Sequence, residues 1–222
     1  MKHSTRTRLF NKATALAIIS VVATLLFSLL ASIVTSGRAN NFDDAVLLWI
    51  NQHASPTFDA LFLNLTHLGG SVFITGVSLV LLAYVLYKKQ YHKALFVSLS
   101  MGGMITLNLL LKSFFERPRP DLWQWLVTET SYSFPSGHAT ASMALALTIL
   151  LVFWWTKWRL AAIIVAGLFV FVVGFSRMYL GVHYLTDIFG GWLLATAWVT
   201  CIACFVYVYR NRVPKPIEEK AA

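Results

Sequence analysis

Apolar residues in this chain gather into long runs, and six of the runs approach the ~20 residues that a helix needs to cross a hydrocarbon core. They fall at 13–35, 71–87, 93–111, 138–156, 159–175 and 188–209. Between the first two runs, Asp43, Asp44 and Asp59 alternate with Phe42, Val46, Trp49, Ile50, Phe58, Leu61, Phe62 and Leu65. That spacing predicts one or two amphipathic helices lying in an interface, ended by the Gly69-Gly70 break. The fold class expected is therefore all-α: a polytopic membrane protein, a six-transmembrane-helix bundle with short interfacial helices on its outer face. No internal repeat or second soluble domain is visible, so 1–222 reads as one membrane-embedded domain with polar tails at 1–12 and 210–222.

Composition supports this reading, since 58% hydrophobic against 12% charged residues is far from the make-up of a soluble domain. Charge then sets the orientation. Of the 18 basic residues, 13 fall on one side of the six runs, among them Lys88, Lys89, Lys157 and Arg159. Short basic loops mark the cytoplasmic side, so both termini are expected there, in the cell membrane, with the segments around Lys112 and Arg177 outside. The net charge of +9 sits in clusters flanking apolar runs, which points to topology and anionic lipid and not to nucleic acid. The first run is longer than a cleaved signal core and lacks a small-x-small site, so it reads as a retained anchor. Cys201 and Cys204, the only cysteines, read as small buried residues of the last span.

Three clusters on the outer side carry the candidate chemistry. Lys112 ends one run and is followed by the proline-stiffened Arg117-Pro118-Arg119-Pro120. Pro135-Ser136-Gly137-His138 precedes another; serine is a good N-cap and glycine allows close approach, so this is a helix N-terminus able to bind an anion. In the third, Arg177 offers a planar fork of donors for phosphate oxygens. His183 and Asp187 are four apart, so on a helix they share a face and the carboxylate can orient the imidazole. Ionisable groups at a membrane boundary are expensive and mark function. Together they suit phosphoryl transfer, in which cations hold a polyanion, one histidine attacks phosphorus and the other protonates the leaving alkoxide. No acidic pair stands at metal-ligand spacing, so neither metal nor other cofactor is expected.

These clusters read Lys112-x6-Arg119-Pro120, Pro135-Ser136-Gly137-His138 and Ser176-Arg177-x5-His183-x3-Asp187. In identity, spacing and order they resemble the three signatures of the type-2 phosphatidic acid phosphatase superfamily of integral membrane lipid phosphatases. The resemblance implies metal-free hydrolysis of a lipid phosphate ester or diphosphate. His183 would form a phosphohistidine, Asp187 would orient it, and His138 would act as general acid. Lys112, Arg119, Ser136, Gly137 and Arg177 would bind phosphate. Undecaprenyl diphosphate, phosphatidylglycerophosphate and phosphatidate are the substrates to consider. A lipid-to-lipid phosphotransferase with the same intermediate, or a non-catalytic lipid-binding or transport bundle, would show the same sequence. The vanadate haloperoxidases share the site but are soluble. Trp123 and Trp125 are expected to anchor in the interface, Arg117 and Glu116 to pair with each other or with solvent, and His67 to mark the start of a helix. The bilayer and its lipids are the only partners that the sequence implies; it leaves the oligomeric state open. An Asp187→Asn change is expected to spare folding and remove most turnover.

Overall fold

The computed structural model describes residues 2–154 and 157–212, and among them the regular structure is entirely helical. Eight α-helices follow one another: α1 (Lys2–Thr35), α2 (Asn40–Gln52), α3 (Pro56–Leu65), α4 (Ser71–Tyr87), α5 (Tyr91–Phe115), α6 (Gly137–Val152), α7 (Arg159–Tyr179) and α8 (Leu185–Arg212). A short 3-10 turn, Thr66–Gly69, joins α3 to α4.

Helix α6 is the hub, packed against α4, α5, α7 and α8, while α1 lies along α8. The main core fills the space between α4, α5, α6 and α8 with Leu81, Val85, Val97, Met104, Leu145 and Val199. The outward surfaces are just as apolar: Val22, Leu25 and Leu29 on α1, and Ile164, Leu168 and Phe171 on α7, stand exposed. Where lipid is as apolar as the core, helices must associate through close van der Waals approach instead of burial. Small residues provide it here. A Cβ on Gly191 would lie 2.8 Å from Thr140 Oγ1 and 2.9 Å from the Ser136 carbonyl, so α8 meets the start of α6 backbone to backbone.

Four helices are long and apolar enough to cross a membrane on their own: Lys12–Thr35, Tyr91–Phe115, Arg159–Tyr179 and Leu185–Arg210. A fifth span results if α3 with its 3-10 turn and α4, bent 40° at the glycine break, are taken together. Of the six spans expected, four to five are thus met by length and composition. Helix α4 has 17 residues and α6 only 16. The run at 138–156 had merged α6 with the apolar Phe153 and Trp154, which lie past the helix end; positions 155 and 156 lie outside the described residues. The amphipathic segment does form helices, α2 and α3, and Ser55 caps α3 by accepting from the Phe58 N–H at 3.4 Å. The cysteines differ from expectation: Cys201 is exposed on α8, and Cys204 is half-buried, with its Sγ donating to the Ala13 carbonyl at 3.4 Å.

Candidate active site

Three chain segments converge at one end of the bundle. Lys112 lies in the last turn of α5, Arg177 in the last turn of α7, and Gly137 opens α6. Helix α5 stops because Glu116 turns into the left-handed region (φ 46°) and the prolines that follow cannot continue it. The loop from Arg117 to Pro135 then crosses the end of the bundle, and its backbone closes against its own start and against α8. The Ser133 N–H donates to the Arg117 carbonyl at 2.9 Å and the Ser136 N–H to that of Asp187 at 3.1 Å.

His183 is 1% exposed and Asp187 fully buried. They do not share a helix, as their spacing had suggested: His183 sits in the turn before α8 and only Asp187 in its first turn. The turn nevertheless brings Nδ1 of His183 to 3.3 Å from Asp187 Oδ2, which also accepts from the Tyr184 N–H at 2.9 Å and from the Ser133 hydroxyl. On the other side of the ring, Arg119 Nη1 lies 3.2 Å from His183 Nε2 and donates to the Val182 carbonyl at 2.8 Å. Since guanidinium only donates, Nε2 must be the acceptor and Nδ1 carries the proton toward Asp187. Burial holds the His183 imidazole well below its usual pKa, and Arg119, Arg177, Lys112 and His138 push the same way. The result is a neutral imidazole with its lone pair turned to the cations.

Around it stand the cations. Lys112 Nζ donates to Ser131 Oγ at 3.0 Å and to the Tyr132 carbonyl at 2.6 Å. Arg119 Nε donates to the Ser131 carbonyl at 2.7 Å, and burial draws its pKa down against the pull of Glu129 and Asp187. Arg177, 1% exposed, donates from Nη1 to Thr66 Oγ1 at 2.8 Å. Between the two arginines lies the Glu129 carboxylate, paired with Arg119 Nη2 at 3.2 Å and with Arg177 Nη2. Ser136 occupies the N-cap position of α6, but its buried hydroxyl has no partner, and neither has Arg177 Nε. Gly137 leaves room beside Lys112: a Cβ there would be 4.0 Å from its Cε. His138, in the first turn of α6, is half-buried and within electrostatic reach of His183. All eight residues singled out from the sequence are thus gathered at one end of the bundle.

Several contributors were not anticipated. Arg117 does not pair with Glu116 or solvent; it is buried, bonding Asp187 Oδ1 at 2.6 Å and Asp43 Oδ2 at 2.8 Å. Asp43, Glu129, Ser133 and Thr186 complete the polar cluster, and Asn108 Nδ2 donates to Thr140 Oγ1 at 3.1 Å beneath the α6 start. Trp123 and Trp125, in this loop, are half-buried and pack against the core beneath it, with Trp125 Nε1 donating to the Pro120 carbonyl at 2.7 Å. His67 stands exposed in the 3-10 turn leading to α4. Among the described residues, no three His, Cys, Asp or Glu side chains are grouped as metal ligands.

Comparison with known proteins agrees with this geometry. The family model described as the PAP2 superfamily matches residues 92–212. Phosphatidylglycerophosphatase B of Bacillus subtilis is 32% identical over 77% of this chain and 86% of its own length. An undecaprenyl-diphosphatase of Sulfolobus acidocaldarius is 31% identical over 46% of this chain and 43% of its own. Among solved structures, the transmembrane PAP2-type phosphatidylglycerolphosphate phosphatase of Bacillus subtilis superposes with a TM-score of 0.76 at 28% identity, covering 89% of this chain and 98% of that one. The fold is also that of Aquifex aeolicus LpxE, with a TM-score of 0.61 at 24% identity, over 73% of this chain and 94% of that one. The matched region holds all three motif clusters, and the chain belongs to the PAP2 superfamily.

Proposed function

We propose that the protein hydrolyses a phosphate ester or diphosphate of a membrane lipid without metal, through a phosphohistidine on His183. The observation that carries this is the buried His183 ring, backed on Nδ1 by Asp187 and with Nε2 turned to Arg119, while Arg177 and Lys112 stand within electrostatic reach. In this reading Nε2 attacks phosphorus, and the developing charge on the phosphoryl oxygens falls on Lys112, Arg119, Arg177 and the free N–H groups at the start of α6. The unpartnered Ser136 hydroxyl and Arg177 Nε then gain oxygen acceptors. His138 gives a proton to the departing oxygen and later takes one from the water that splits the P–N bond, releasing phosphate and restoring neutral His183. Glu129 must leave the two arginines when phosphate arrives.

We further propose six crossings, with α4 and α6 as short spans, both termini cytoplasmic and the site at the outer bilayer surface. Supporting this, α5 carries Lys93 near one end and Lys112 near the other, and from position 93 to 112 it rises about 28 Å at ~1.5 Å per residue. An apolar cleft lined by Ile74, Met101, Met104, Ile105 and Leu109 runs between α4, α5 and α6 up to His138, and suits the tail of a lipid whose headgroup meets the cations. Phosphatidylglycerophosphate and undecaprenyl diphosphate are the substrates to test first.

The test is phosphate release by purified protein in detergent with excess chelator, together with a denaturing alkaline quench to trap a phosphoryl group on the protein that is stable in alkali and lost in acid. His183→Ala should abolish both signals, and full turnover in that variant would sink the mechanism. A labelled donor with a lipid acceptor separates hydrolysis from lipid-to-lipid transfer by product.

A further inference from the structure

Arg117 sits two positions before a phosphate-clamp arginine, yet its donors point away from the clamp. Nη1 donates to Asp187 Oδ1 at 2.6 Å and to Thr186 Oγ1 at 2.8 Å, and Nη2 to Asp43 Oδ2 at 2.8 Å. The guanidinium lies 4.2 Å from the centre of the Tyr184 ring. Asp43, fully buried on α2, also accepts from the Thr186 N–H at 3.1 Å and the Thr186 hydroxyl at 2.5 Å. Every oxygen of both carboxylates therefore has a donor. Oδ1 of Asp187 is spoken for by Arg117, which leaves Oδ2 to face His183 Nδ1.

The charges matter as much as the directions. An arginine alone against Asp187 would cancel the negative charge that supports a histidine acquiring positive character. Asp43 prevents this: the two carboxylates and one guanidinium together keep one net negative charge behind His183. Although burial opposes the charge on Arg117, Asp187 and Asp43 hold its pKa above the ordinary value, so the guanidinium stays charged between them.

We propose that Arg117, anchored by Asp43, is a positioning residue: it aims the Asp187 carboxylate at His183 and, with Asp43, preserves the net charge behind the nucleophile, without touching phosphate. The assignment rests on the reading of His183 and Asp187 as the working pair. It also gives α2 a role in the chemistry, since Asp43 is its contribution to the site.

The test compares Arg117→Ala, Arg117→Lys, Asp43→Asn and the double variant Arg117→Ala/Asp43→Asn by kcat, KM and vanadate inhibition. Arg117→Ala should lose about 10²–10³-fold in kcat, the scale of removing one catalytic electrostatic contact, with KM and the vanadate Ki within about twofold of wild type. Asp43→Asn should lose less, and the double variant no more than Arg117→Ala, because both act along one path. Arg117→Lys should recover part of the rate, as should a few millimolar guanidinium added to Arg117→Ala. An Arg119→Gln control should instead raise the vanadate Ki. A readout independent of turnover is the Nδ1–H resonance of His183 in ¹⁵N-histidine-labelled protein, expected downfield in wild type and moved upfield in Arg117→Ala and Asp43→Asn. Unchanged kcat in Asp43→Asn, a loss confined to KM or vanadate Ki, additive losses, or an unmoved resonance would overturn the proposal. A wild-type protein that shows the resonance and its shifts but no turnover would refute the phosphatase reading alone.

Discussion

Replacing Glu129 by glutamine keeps the shape of the side chain and removes its charge from between Arg119 and Arg177. The carboxylate is 22% exposed, and the two arginine side chains 5% and 2%. Hydrogen bonds to charged groups contribute about 1.5–3 kcal/mol and neutral ones about 0.5–1.5. Glutamine can keep one such contact and must release the other. The net loss to the resting contact is then about 1–2 kcal/mol after allowing for solvent at the partly exposed carboxylate. Phosphate competes for the same guanidinium donors, so what the resting contact loses the anion gains, and about 1.4 kcal/mol is tenfold in affinity. Glu129→Gln should therefore lower the vanadate Ki about tenfold and lower KM in the same direction, without raising kcat. The assay is competitive inhibition by vanadate against a lipid substrate in mixed micelles, with vanadate-dependent thermal shift as the binding control. A vanadate Ki that is unchanged or higher in the variant would refute the reasoning, because it would mean that Glu129 holds the arginines in place for phosphate and does not compete with it.

Asp187→Asn should cost about 10⁴-fold in turnover, as when an amide replaces the carboxylate behind a working histidine. It should also lower Tm, by about 1–3 kcal/mol of stability, because the amide N–H₂ must face either Arg117 or the donors at Oδ2; an unchanged Tm in differential scanning would refute this. The depressed His183 pKa fixes the sign of two pH effects. Neutral imidazole persists below its ordinary pKa of ~6.5, so the acid limb of kcat/KM should lie under that value. The unfolded chain takes up the proton there while the folded protein refuses it, so stability is full above pH ~6.5 and falls as pH drops through it; a Tm flat from pH 7 to 5 would contradict this. Gly191→Ala should cost about 1–3 kcal/mol through overpacking and reduce activity, since its Cβ would press on Thr140 Oγ1 and the Ser136 carbonyl; wild-type kcat and Tm would show that α8 can move away freely.

The gathering of Lys112, Arg119, Arg177, His138 and His183 was legible because each lies in a short motif whose spacing survives folding. Asp43, Glu129 and Ser133 were not, because their partners lie far along the chain: Asp43 meets Thr186 across 143 positions, Ser133 meets Asp187 across 54, and Glu129 meets Arg177 across 48. No periodicity encodes such contacts. Arg117 was misread for a local reason. Glu116 is its neighbour in sequence, but the left-handed turn at Glu116 separates the two and sends Arg117 inward. Span lengths were misjudged because hydropathy registers apolar side chains and not helix ends, so Phe153 and Trp154 lengthened α6 on paper. The amphipathic helices were readable as elements, while the use of one acidic residue in α2 as a buried anchor for the site was not.

The brevity of α6 bears on how a headgroup reaches the clamp. At its far end the carbonyl of Val152 accepts from Lys93 Nζ at 3.1 Å, which ties that end to the level of an ammonium group at the membrane boundary. Its 16 residues climb only about 24 Å from there, against a hydrocarbon thickness of about 30 Å. On the proposed six-crossing topology, the start of α6, with Ser136 and Gly137, would lie about 6 Å short of the opposite edge of the hydrocarbon layer. Under that topology hydrophobic mismatch would do part of the work: a lipid phosphate would have to sink, or the bilayer to thin, before the anion met the start of α6. The anion would then arrive partly stripped of water, and turnover is expected to depend on acyl-chain length, rising in thinner membranes; turnover that does not change with bilayer thickness would refute this.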